Sequence, residues 1–330
     1  RCFVRTHIKG ITRIIDMKKG DKILVTGGAG FIGSNLVASL LKGGYRVIVI
    51  DNFSTGRKEN LQDFFGDIQL VTSDLENYDL AQHKDISAVV HLAAQPSVPL
   101  SIENFKDSSI SNMTAAINVI DYCKNNSLPL VYASSSAIYG ELPFGSDDND
   151  KVDLLSPYAA DKVLLEIYSN IAFKLYKMRS IGLRFFNVYG PKQDPGSAYS
   201  GVISIFVDRL LKKNKVYVNG GYQTRDFVYI DDVVRVIELA LVKVSNDSLC
   251  DQVNVLTGKS MSIKQLLEML SDELSIVPQV IKQNLPEGDP EKSEGNSNKL
   301  CSLLDFNLES LVDIKDGLRC TIEYIKETEM

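Results

Sequence analysis

The sequence predicts an α/β protein with a doubly wound parallel sheet and a smaller C-terminal domain. Two observations carry this prediction: short apolar, β-branched segments alternate with helical segments, and a glycine-rich turn follows the first apolar segment. The apolar segments are Lys22–Thr26, Arg46–Asp51, Gln69–Thr72, Ala88–Ala93 and Pro129–Ala133. Because they are apolar on both faces, they are typical of parallel strands that helices cover on both sides. Strands that alternate with helices predict a parallel sheet.

Helical segments fill the intervals between these strands and continue into the second half of the chain. They are Phe31–Lys42, which Gly43-Gly44 closes, Asn112–Lys124, Val202–Lys213, Asp232–Val244, Ile263–Leu274 and Lys315–Thr328, with a strand near Val216–Asn219 and a loop over Glu287–Asn298. The rhythm becomes irregular after Asn187. We therefore predict an N-terminal extension over residues 1–16, a nucleotide-binding domain over 17–187, and a domain over 188–330 that covers the carboxyl ends of the strands.

Composition and charge exclude several classes of protein. The chain has 330 residues, 44% hydrophobic and 24% charged, as in an ordinary globular protein. A net charge of −6 repels polyanions, so we expect no nucleic-acid partner. No apolar run has the length of a bilayer span, so we expect no membrane segment. Five scattered cysteines favour a reducing cytoplasm, and three histidines without metal-ligand spacing predict no metal site.

The glycine-rich turn Thr26–Gly33 (TGGAGFIG) lies between the first strand and the first helix. Gly27 permits a tight turn, Gly30 lets the backbone approach a pyrophosphate, and Gly33 permits close packing of helix on strand. The helix N-terminus then faces the anion. This context predicts a Rossmann-type dinucleotide site. Asp51, at the end of the second strand, would accept hydrogen bonds from ribose hydroxyls and repel a 2′-phosphate, which favours NAD over NADP.

A tyrosine and a lysine four residues apart follow the five predicted strands. Tyr158 and Lys162 lie in the segment SPYAADKVLLEIY, which predicts a helix entered at Ser156-Pro157. Four-residue spacing places both side chains on one helix face. Tyrosine has an ordinary pKa of about 10, and a nearby ammonium together with a positive nicotinamide would lower that pKa. The pair is then suited to moving a proton to or from a hydroxyl near neutral pH.

Seven motifs together resemble the extended branch of the short-chain dehydrogenase/reductase superfamily, the NAD-dependent epimerase/dehydratase family. They are TGGAGFIG, DNFSTG, HLAAQ, SSSAIYG, YAADK, RFFNVYGP and RDFVYIDDVV, and the resemblance runs from about Lys22 to the C-terminal helix. It implies that Tyr158 is the catalytic acid/base, that Lys162 is its partner, and that Ser135 is the catalytic hydroxyl. The residues expected to bind NAD are Gly27, Gly30, Phe31, Ile32, Gly33, Asp51, Asn52, Ser54, Thr55, Gly56, Asp74, Leu75, Leu92, Ala93, Ala94, Tyr158 and Lys162.

The resemblance leaves several reactions on sugar nucleotides open. Similar dehydratases have Asp-Glu directly after the catalytic hydroxyl, and similar decarboxylases have Glu at the position of Ala137. This chain has Ser136-Ala137, which cannot supply the extra acid and base that elimination needs. We therefore predict C4 epimerisation of a UDP-sugar through a 4-keto intermediate, with UDP-GlcNAc/UDP-GalNAc, UDP-glucose/UDP-galactose or both as substrates. The alternatives are a UDP-glucuronate 4-epimerase, another NAD-dependent sugar-nucleotide oxidoreductase, and a non-catalytic dinucleotide-binding protein.

Around the sugar, the chain is most similar to UDP-N-acetylglucosamine 4-epimerases. The similar stretches are QPSVPLSI at 95–102 and DPGSAYSGVI at 194–203. The residues expected to bind substrate are Ser97, Ser135, Ser136, Asn187, Val202, Tyr217, Arg225 and Ser293. Arg225 would clamp the diphosphate with its planar guanidinium. The residue at Ser293 lies beside the C2 substituent in the family, so a small serine there favours an N-acetyl group.

Two positions depart from the family pattern. Leu100 stands where relatives often have Arg, and Pro286 stands where they have a second phosphate-binding Arg. Arg225 would therefore hold the diphosphate without that partner, unless Lys282 or Lys292 takes its place. The resemblance also implies a homodimer that forms through the helices over Asn112–Lys124 and Pro157–Tyr176.

Overall fold

The computed structural model describes residues 17–197, 200–286 and 288–329. Within these residues, the strands are β1 Lys22–Thr26, β2 Arg46–Asp51, β3 Ile68–Thr72, β4 Ala88–His91, β5 Leu130–Ser135, β6 Ser180–Phe185, β7 Asn187–Tyr189, β8 Val216–Asn219, β9 Thr224–Tyr229, β10 Cys250–Val255, β11 Ser260–Ser262, β12 Val280–Gln283 and β13 Lys292–Ser293. The α-helices are α1 Phe31–Lys42, α2 Val98–Glu103, α3 Phe105–Asn125, α4 Pro157–Tyr176, α5 Val202–Leu211, α6 Ile230–Asn246, α7 Ile263–Leu274, α8 Asn298–Ser302 and α9 Ile314–Glu329. The predicted N-terminal extension lies outside the described residues.

Seven parallel strands form the central sheet, in the order β10-β6-β5-β4-β1-β2-β3. The chain extends the sheet from β1 to β3 in one direction and from β4 to β10 in the other, so the strand order reverses between β1 and β4. At such a switch point a crevice opens at the carboxyl ends of the strands, where ligands of open α/β sheets bind. The predicted doubly wound parallel sheet is confirmed.

The elements nearest the glycine-rich turn agree most closely with the sequence prediction. β1, β2 and α1 have the predicted bounds. The helix predicted over Asn112–Lys124 is longer, because α3 begins at Phe105. The added residues at its start are mostly polar and exposed, so they lack the apolar periodicity that marks a helix in sequence.

Two strands of the sheet, β6 and β10, are missing from the sequence prediction. β6 is buried along its whole length but contains Ser180 and Arg184, and β10 begins with Cys250-Asp251-Gln252. These polar residues interrupt the continuous apolar pattern by which buried strands are recognised. Because β10 and helix α6, which packs against α1, both follow residue 187, the second part of the chain also completes the nucleotide-binding sheet. The division of the chain at residue 187 stays a prediction.

A smaller layer of short strands lies beyond the central sheet. β9 lies between β11 and β13 and also pairs with β7, and β8 pairs with β12. This register places Ser293 opposite Arg225 and Asn187 opposite Phe227. The loop predicted over residues 287–298 therefore contains a strand, and that strand is too short for its sequence pattern to reveal it.

Candidate active site

A cavity of about 400 Å³ opens at the carboxyl ends of the central strands, at the switch point between β1 and β4. The glycine-rich turn after β1 forms one wall, the ends of β2 and β3 form the next, and β5 and the start of α4 close the other side. The cavity is therefore lined by elements from both directions of the sheet, which is the arrangement that a dinucleotide needs.

The glycine-rich turn is built so that only glycine fits at its critical positions. Gly27 has φ +70°, and a Cβ on it would lie 2.7 Å from the backbone nitrogen of Ala93. A Cβ on Gly33 would collide with the backbone carbonyl of Gly27. Gly30 is the N-cap of α1 and leaves the helix without a side-chain cap. The backbone N–H groups of this helix start therefore face the cavity, where they suit a pyrophosphate.

The carboxylate of Asp51 is fixed at the end of β2. It accepts hydrogen bonds from the backbone N–H groups of Ala29 and Phe53, each at 2.8 Å. Burial raises the pKa of Asp51, and these two hydrogen bonds oppose that rise because they favour the charged form. Next to it, Asn52 Nδ2 donates to Asp74 Oδ1 at 2.5 Å. The three side chains line one end of the cavity and fit the ribose and adenine of a dinucleotide.

The three predicted catalytic residues meet at the other end of the cavity. The sequence places Tyr158 there because Ser156 caps α4, accepting from the N–H of Ala159 at 3.2 Å, and Pro157 is the first helical residue. The Ser135 hydroxyl, at the end of β5, is hydrogen-bonded to the Tyr158 phenol. Lys162 Nζ lies 5.5 Å from the centroid of the Tyr158 ring. It donates to the carbonyl of Ala133 at 2.8 Å.

The protein's own groups shift the two catalytic pKa values in opposite directions. Burial raises the pKa of Tyr158, and the Ser135 hydrogen bond lowers it less. The lowering that we expected from Lys162 does not prevail, because burial dominates. Burial also lowers the pKa of Lys162 from 10.5 to about 8, while the charges of Asp161 and Glu166 oppose this fall. A lowered tyrosine pKa would need a further positive charge beside the phenol, which the nicotinamide of NAD carries.

All but one of the predicted cofactor residues line the cavity. Gly56 is not in the cavity wall: it packs on Ala29, where a Cβ would lie 2.9 Å from the carbonyl carbon. It therefore supports the turn from behind. Among the described residues, the cavity wall also contains side chains that the sequence prediction missed: Asn112, Ser111, Lys192 and Gln193. Asn112 lies within a predicted helix, and only the fold brings it to α4, where its Nδ2 donates to Asp161 Oδ2 at 3.0 Å.

Of the predicted substrate residues, only Ser135 lines this cavity. The hydroxyl of Ser97 instead caps α2, accepting from the N–H of Leu100 at 3.1 Å. Ser136 begins the short 3₁₀ helix Ser136–Tyr139. The remaining residues, Asn187, Val202, Tyr217, Arg225 and Ser293, lie on or beside the smaller strand layer. Their roles in binding substrate stay predictions.

Arg225 has protein partners of its own in this layer. It is buried, donates to the carbonyl of Thr224 at 2.7 Å and forms an ion pair with Asp289. Asp289 belongs to the loop that contains Pro286. The ion pair therefore attaches this loop to the predicted phosphate clamp, while both Lys282 and Lys292 are exposed. A guanidinium has five N–H donors, so these two contacts do not use up its capacity.

The described residues contain neither a metal site nor a membrane-spanning helix. No group of three His, Cys, Asp or Glu side chains there is arranged to hold a metal ion. None of the described helices has the length and hydropathy to cross a bilayer.

The comparisons with known proteins point to one family. The model of the "NAD dependent epimerase/dehydratase family" matches residues 23–255. The UDP-glucose 4-epimerase of Mycolicibacterium smegmatis is 32% identical over 317 residues, which cover 92% of this chain and 98% of that protein. The structure of Thermotoga maritima UDP-glucose 4-epimerase with UDP-glucose has a TM-score of 0.87 at 31% identity, covering 94% of this chain and 100% of that one.

A third similar protein is named for a different sugar nucleotide. The UDP-N-acetylglucosamine 4-epimerase of Methanobrevibacter ruminantium, solved with UDP-N-acetylmuramic acid, has a TM-score of 0.86 at 32% identity, covering 94% of this chain and 100% of that one. The resemblance and the NAD cofactor predicted from the sequence are confirmed. The chain belongs to the NAD-dependent epimerase/dehydratase family.

Proposed function

We propose that this protein is a UDP-sugar 4-epimerase that accepts UDP-GlcNAc and UDP-GalNAc. The observation that carries the proposal is the contact of Ser135, Tyr158 and Lys162 in one cavity with a dinucleotide turn. Similar proteins act in the same class of reaction, since UDP-glucose and UDP-N-acetylglucosamine 4-epimerases both share this fold over more than nine-tenths of the chain.

The proposed reaction needs few groups from the chain. Tyr158 takes the proton from the sugar O4, and the Ser135 hydroxyl holds that oxygen as it becomes a ketone oxygen. Lys162 supplies a positive charge beside the phenol. Bound NAD would supply the acceptor, and then the donor, of the C4 hydride. When the 4-keto sugar turns over, return of the hydride to its other face inverts C4, and Tyr158 gives the proton back.

The residues after Ser135 favour epimerisation over elimination. The N–H of Ala137 donates to the Ser135 hydroxyl at 3.1 Å, so the start of the 3₁₀ helix orients the catalytic group. Ser136 and Ala137 have no acidic or basic side chain for removing water across C5 and C6. The chain thus provides one acid/base at O4, as a 4-epimerase requires.

The choice of an N-acetyl sugar rests on Ser293. This small residue lies opposite Arg225 on the adjacent strand, so it borders the predicted diphosphate site at the distance of one strand spacing. We predict that wild type interconverts UDP-GlcNAc and UDP-GalNAc, and that Ser293→Tyr impairs this exchange by filling the space at C2 while sparing UDP-glucose/UDP-galactose exchange. The measurement is product analysis by NMR, with UDP-glucuronate as a further substrate.

The two substrate pairs distinguish specificity from general damage. Ser302→Tyr is a matched control, because Ser302 is an exposed serine at the end of α8. Equal slowing of both pairs by Ser293→Tyr, or of neither, would show that Ser293 does not face C2. Conversion of UDP-glucuronate alone would replace the proposed substrate.

Arg225 is expected to dominate the binding of the diphosphate. Pro286 has no N–H group that could donate a hydrogen bond to the diphosphate, and the possible substitutes Lys282 and Lys292 are exposed. We predict that Arg225→Ala weakens UDP binding by about 1.5–3 kcal/mol, the range for a hydrogen bond to a charged group. Calorimetry with UDP measures this, with Arg319→Ala on the exposed side of α9 as the control. Unchanged UDP affinity would mean that the diphosphate binds elsewhere.

We also propose that the protein is a homodimer formed through the outer faces of α3 and α4. These two helices pack side by side and expose large apolar side chains: Ile110, Ile117, Ile167, Ile171 and Leu175 are each at least 43% exposed. Exposed apolar patches of this kind mark protein interfaces.

The cytoplasmic location of the protein also stays a prediction.

The predicted interface can be tested by adding charge to its centre. We expect Ile167→Glu/Ile171→Glu to sediment as a monomer at concentrations where wild type sediments as a dimer, because two carboxylates cannot be buried in an apolar contact. Val277→Glu is the control, since Val277 is 93% exposed and lies outside α3 and α4. A wild-type monomer, or a double variant that remains dimeric, would contradict the proposed interface.

A further inference from the structure

A row of buried polar side chains crosses the sheet directly beneath the catalytic residues. Ser134 on β5, Arg184 on β6 and Asn254 on β10 are neighbours in register, and each is at most 3% exposed. Glu166 reaches them from α4, and Tyr139 reaches them from the 3₁₀ helix after β5. We call these five residues the buried polar row.

An ion pair forms the centre of the buried polar row. Arg184 holds Glu166 with two hydrogen bonds, Nε to Oε1 at 2.9 Å and Nη2 to Oε2 at 2.7 Å. Replacing a pair this deeply buried by apolar side chains is often neutral or stabilising, so such a pair is weak evidence for stability alone. Because the two hydrogen bonds are parallel and coplanar, the pair fixes the orientation of the Glu166 side chain relative to Arg184. The residues that the pair holds in place lie on both sides of it.

On one side, the row fixes the catalytic helix against the catalytic strand. The side chains of Tyr158, Lys162 and Glu166 follow at four-residue intervals on one face of α4. Each contacts a different residue at the end of β5. Tyr158 is bonded to the Ser135 hydroxyl and Lys162 to the Ala133 carbonyl. Glu166 accepts from the Ser134 hydroxyl at 2.5 Å. The residue between the two catalytic contacts on β5 is thus tied to the ion pair.

On the other side, the row reaches the segment that contains Ser293. Arg184 Nη1 donates to the Tyr139 hydroxyl at 2.9 Å, and that hydroxyl donates to Asn254 Oδ1 at 2.6 Å. Asn254 Nδ2 in turn donates to the carbonyls of Gly145 and Asn296, at 3.3 and 3.1 Å.

Gly145 extends this connection to the segment itself, because its N–H donates to the carbonyl of Glu294 at 2.7 Å. An unbroken chain of hydrogen bonds therefore links Ser134 to residues 294–296, immediately after the residue that we place beside the sugar.

We propose that Glu166 and Arg184 are positioning residues of the reaction. They hold the Ser135 hydroxyl in line with the Tyr158 phenol and set its place relative to segment 293–296. Neither residue lines the cavity, so they act through Ser134, Tyr139 and Asn254. This inference rests on the proposed function, because it concerns how the O4 of a bound sugar is held.

The test uses the full-length protein with its own cofactor and UDP-GlcNAc. Ser134→Ala removes one hydroxyl and leaves the ion pair intact, and Glu166→Gln keeps the shape of the side chain but removes its charge. We expect kcat to fall by about tenfold for Ser134→Ala and about 10²-fold for Glu166→Gln, as for small misplacements of reacting groups, with KM within about twofold of wild type. Ser169→Ala, an equally buried serine on α4 outside the row, should behave as wild type.

A second readout separates positioning from stability. If O4 is poorly held, the 4-keto sugar escapes before the hydride returns, and the reduced cofactor that remains on the protein absorbs in the near ultraviolet. We expect this absorbance to accumulate during turnover by Ser134→Ala and Glu166→Gln, but not by wild type or Ser169→Ala. Arg184→Lys, which cannot bind Glu166 in the bidentate manner, should show it as well.

The outcomes are distinct. Wild-type kcat without accumulated absorbance in Ser134→Ala would overturn the inference, even if Glu166→Gln fails to fold. A lowered melting temperature with unchanged kcat would show that the pair serves stability only. A wild type that epimerises no UDP-sugar would refute the proposed function, and the inference with it.

Discussion

Turnover by Tyr158→Phe is expected to fall by at least about 10²–10⁴-fold, the range for the loss of a general acid/base. Among the described residues of the cavity wall, the Tyr158 phenol is placed to exchange a proton with a sugar hydroxyl, given its hydrogen bond to Ser135 and its position beside Lys162. The substitution removes a single oxygen. The ring stays, so we expect the variant to fold and to retain NAD.

Two measurements make this expectation specific. The initial rate with each UDP-sugar gives the loss of turnover, and denaturation followed by mass spectrometry of the released nucleotide shows whether NAD is still bound. Tyr176→Phe is the matched control, because Tyr176 ends the same helix and is 56% exposed. Wild-type turnover in Tyr158→Phe would refute the mechanism, whereas loss of NAD would indicate a structural defect.

The parts of the fold that the sequence predicted are those that depend on neighbouring residues. β1, the glycine-rich turn and α1 form one continuous segment in which each residue's role follows from its immediate neighbours. The capped start of α4 at Ser156-Pro157 is local in the same way. β6 and β10 could not be found by that route. Arg184 and Asn254 are polar inside buried strands, and each is satisfied by a partner far away in the sequence.

The same difference between local and long-range contacts applies to the residues of the candidate site. Cofactor residues lie on short motifs at strand ends, and a parallel sheet brings those ends together, so all but one of the predicted cofactor residues lie in the cavity wall. Asn112 was missed because it lies inside a helix, and Lys192 was missed because it lies just beyond the motif that ends at Pro191. The ion pair of Arg225 with Asp289 involves a loop that lies 64 residues away in the sequence. The local sequence pattern around either residue therefore does not predict this ion pair.

The sign of the tyrosine pKa shift shows a further limit of sequence. Spacing predicts correctly that Tyr158 and Lys162 are close, but spacing contains no information on burial. In the folded chain, burial disfavours the charged form of both groups, so the pKa of the tyrosine rises and that of the lysine falls. Burial therefore favours the neutral forms of Tyr158 and Lys162 more than their proximity alone suggests. The pH dependence of the reaction can test this.

Loss of the Lys162 ammonium is expected to slow the reaction as pH rises. Its pKa is about 8, so the charge is present below that pH and is lost above it. Rising pH also ionises Tyr158, which would increase the rate instead, because phenolate is the base. A decline in kcat above pH 8 would therefore report the lysine and not the tyrosine. Since the groups interact, the apparent pKa belongs to the pair.

Lys162→Met separates these two contributions. We expect kcat to fall by about 10²–10⁴-fold, as for a lost member of an acid/base pair, and the decline at high pH to disappear with the ammonium. Lys174→Met is the control, because Lys174 is exposed on the same helix. A high-pH decline that persists in Lys162→Met would assign it to another group.

Stability gives an independent check on the same lysine. Folding lowers its pKa from 10.5 to about 8, so between these pH values the unfolded chain binds more protons than the folded chain. The contribution of Lys162 to the free energy of unfolding must then increase as pH rises through this window. Thermal unfolding at pH 8 and pH 10 should show the Lys162→Met variant gaining less stability, or losing more, than wild type across the interval. Equal changes in both proteins would mean that the folded pKa of Lys162 is not lowered, and the high-pH decline in kcat would then need a different titrating group.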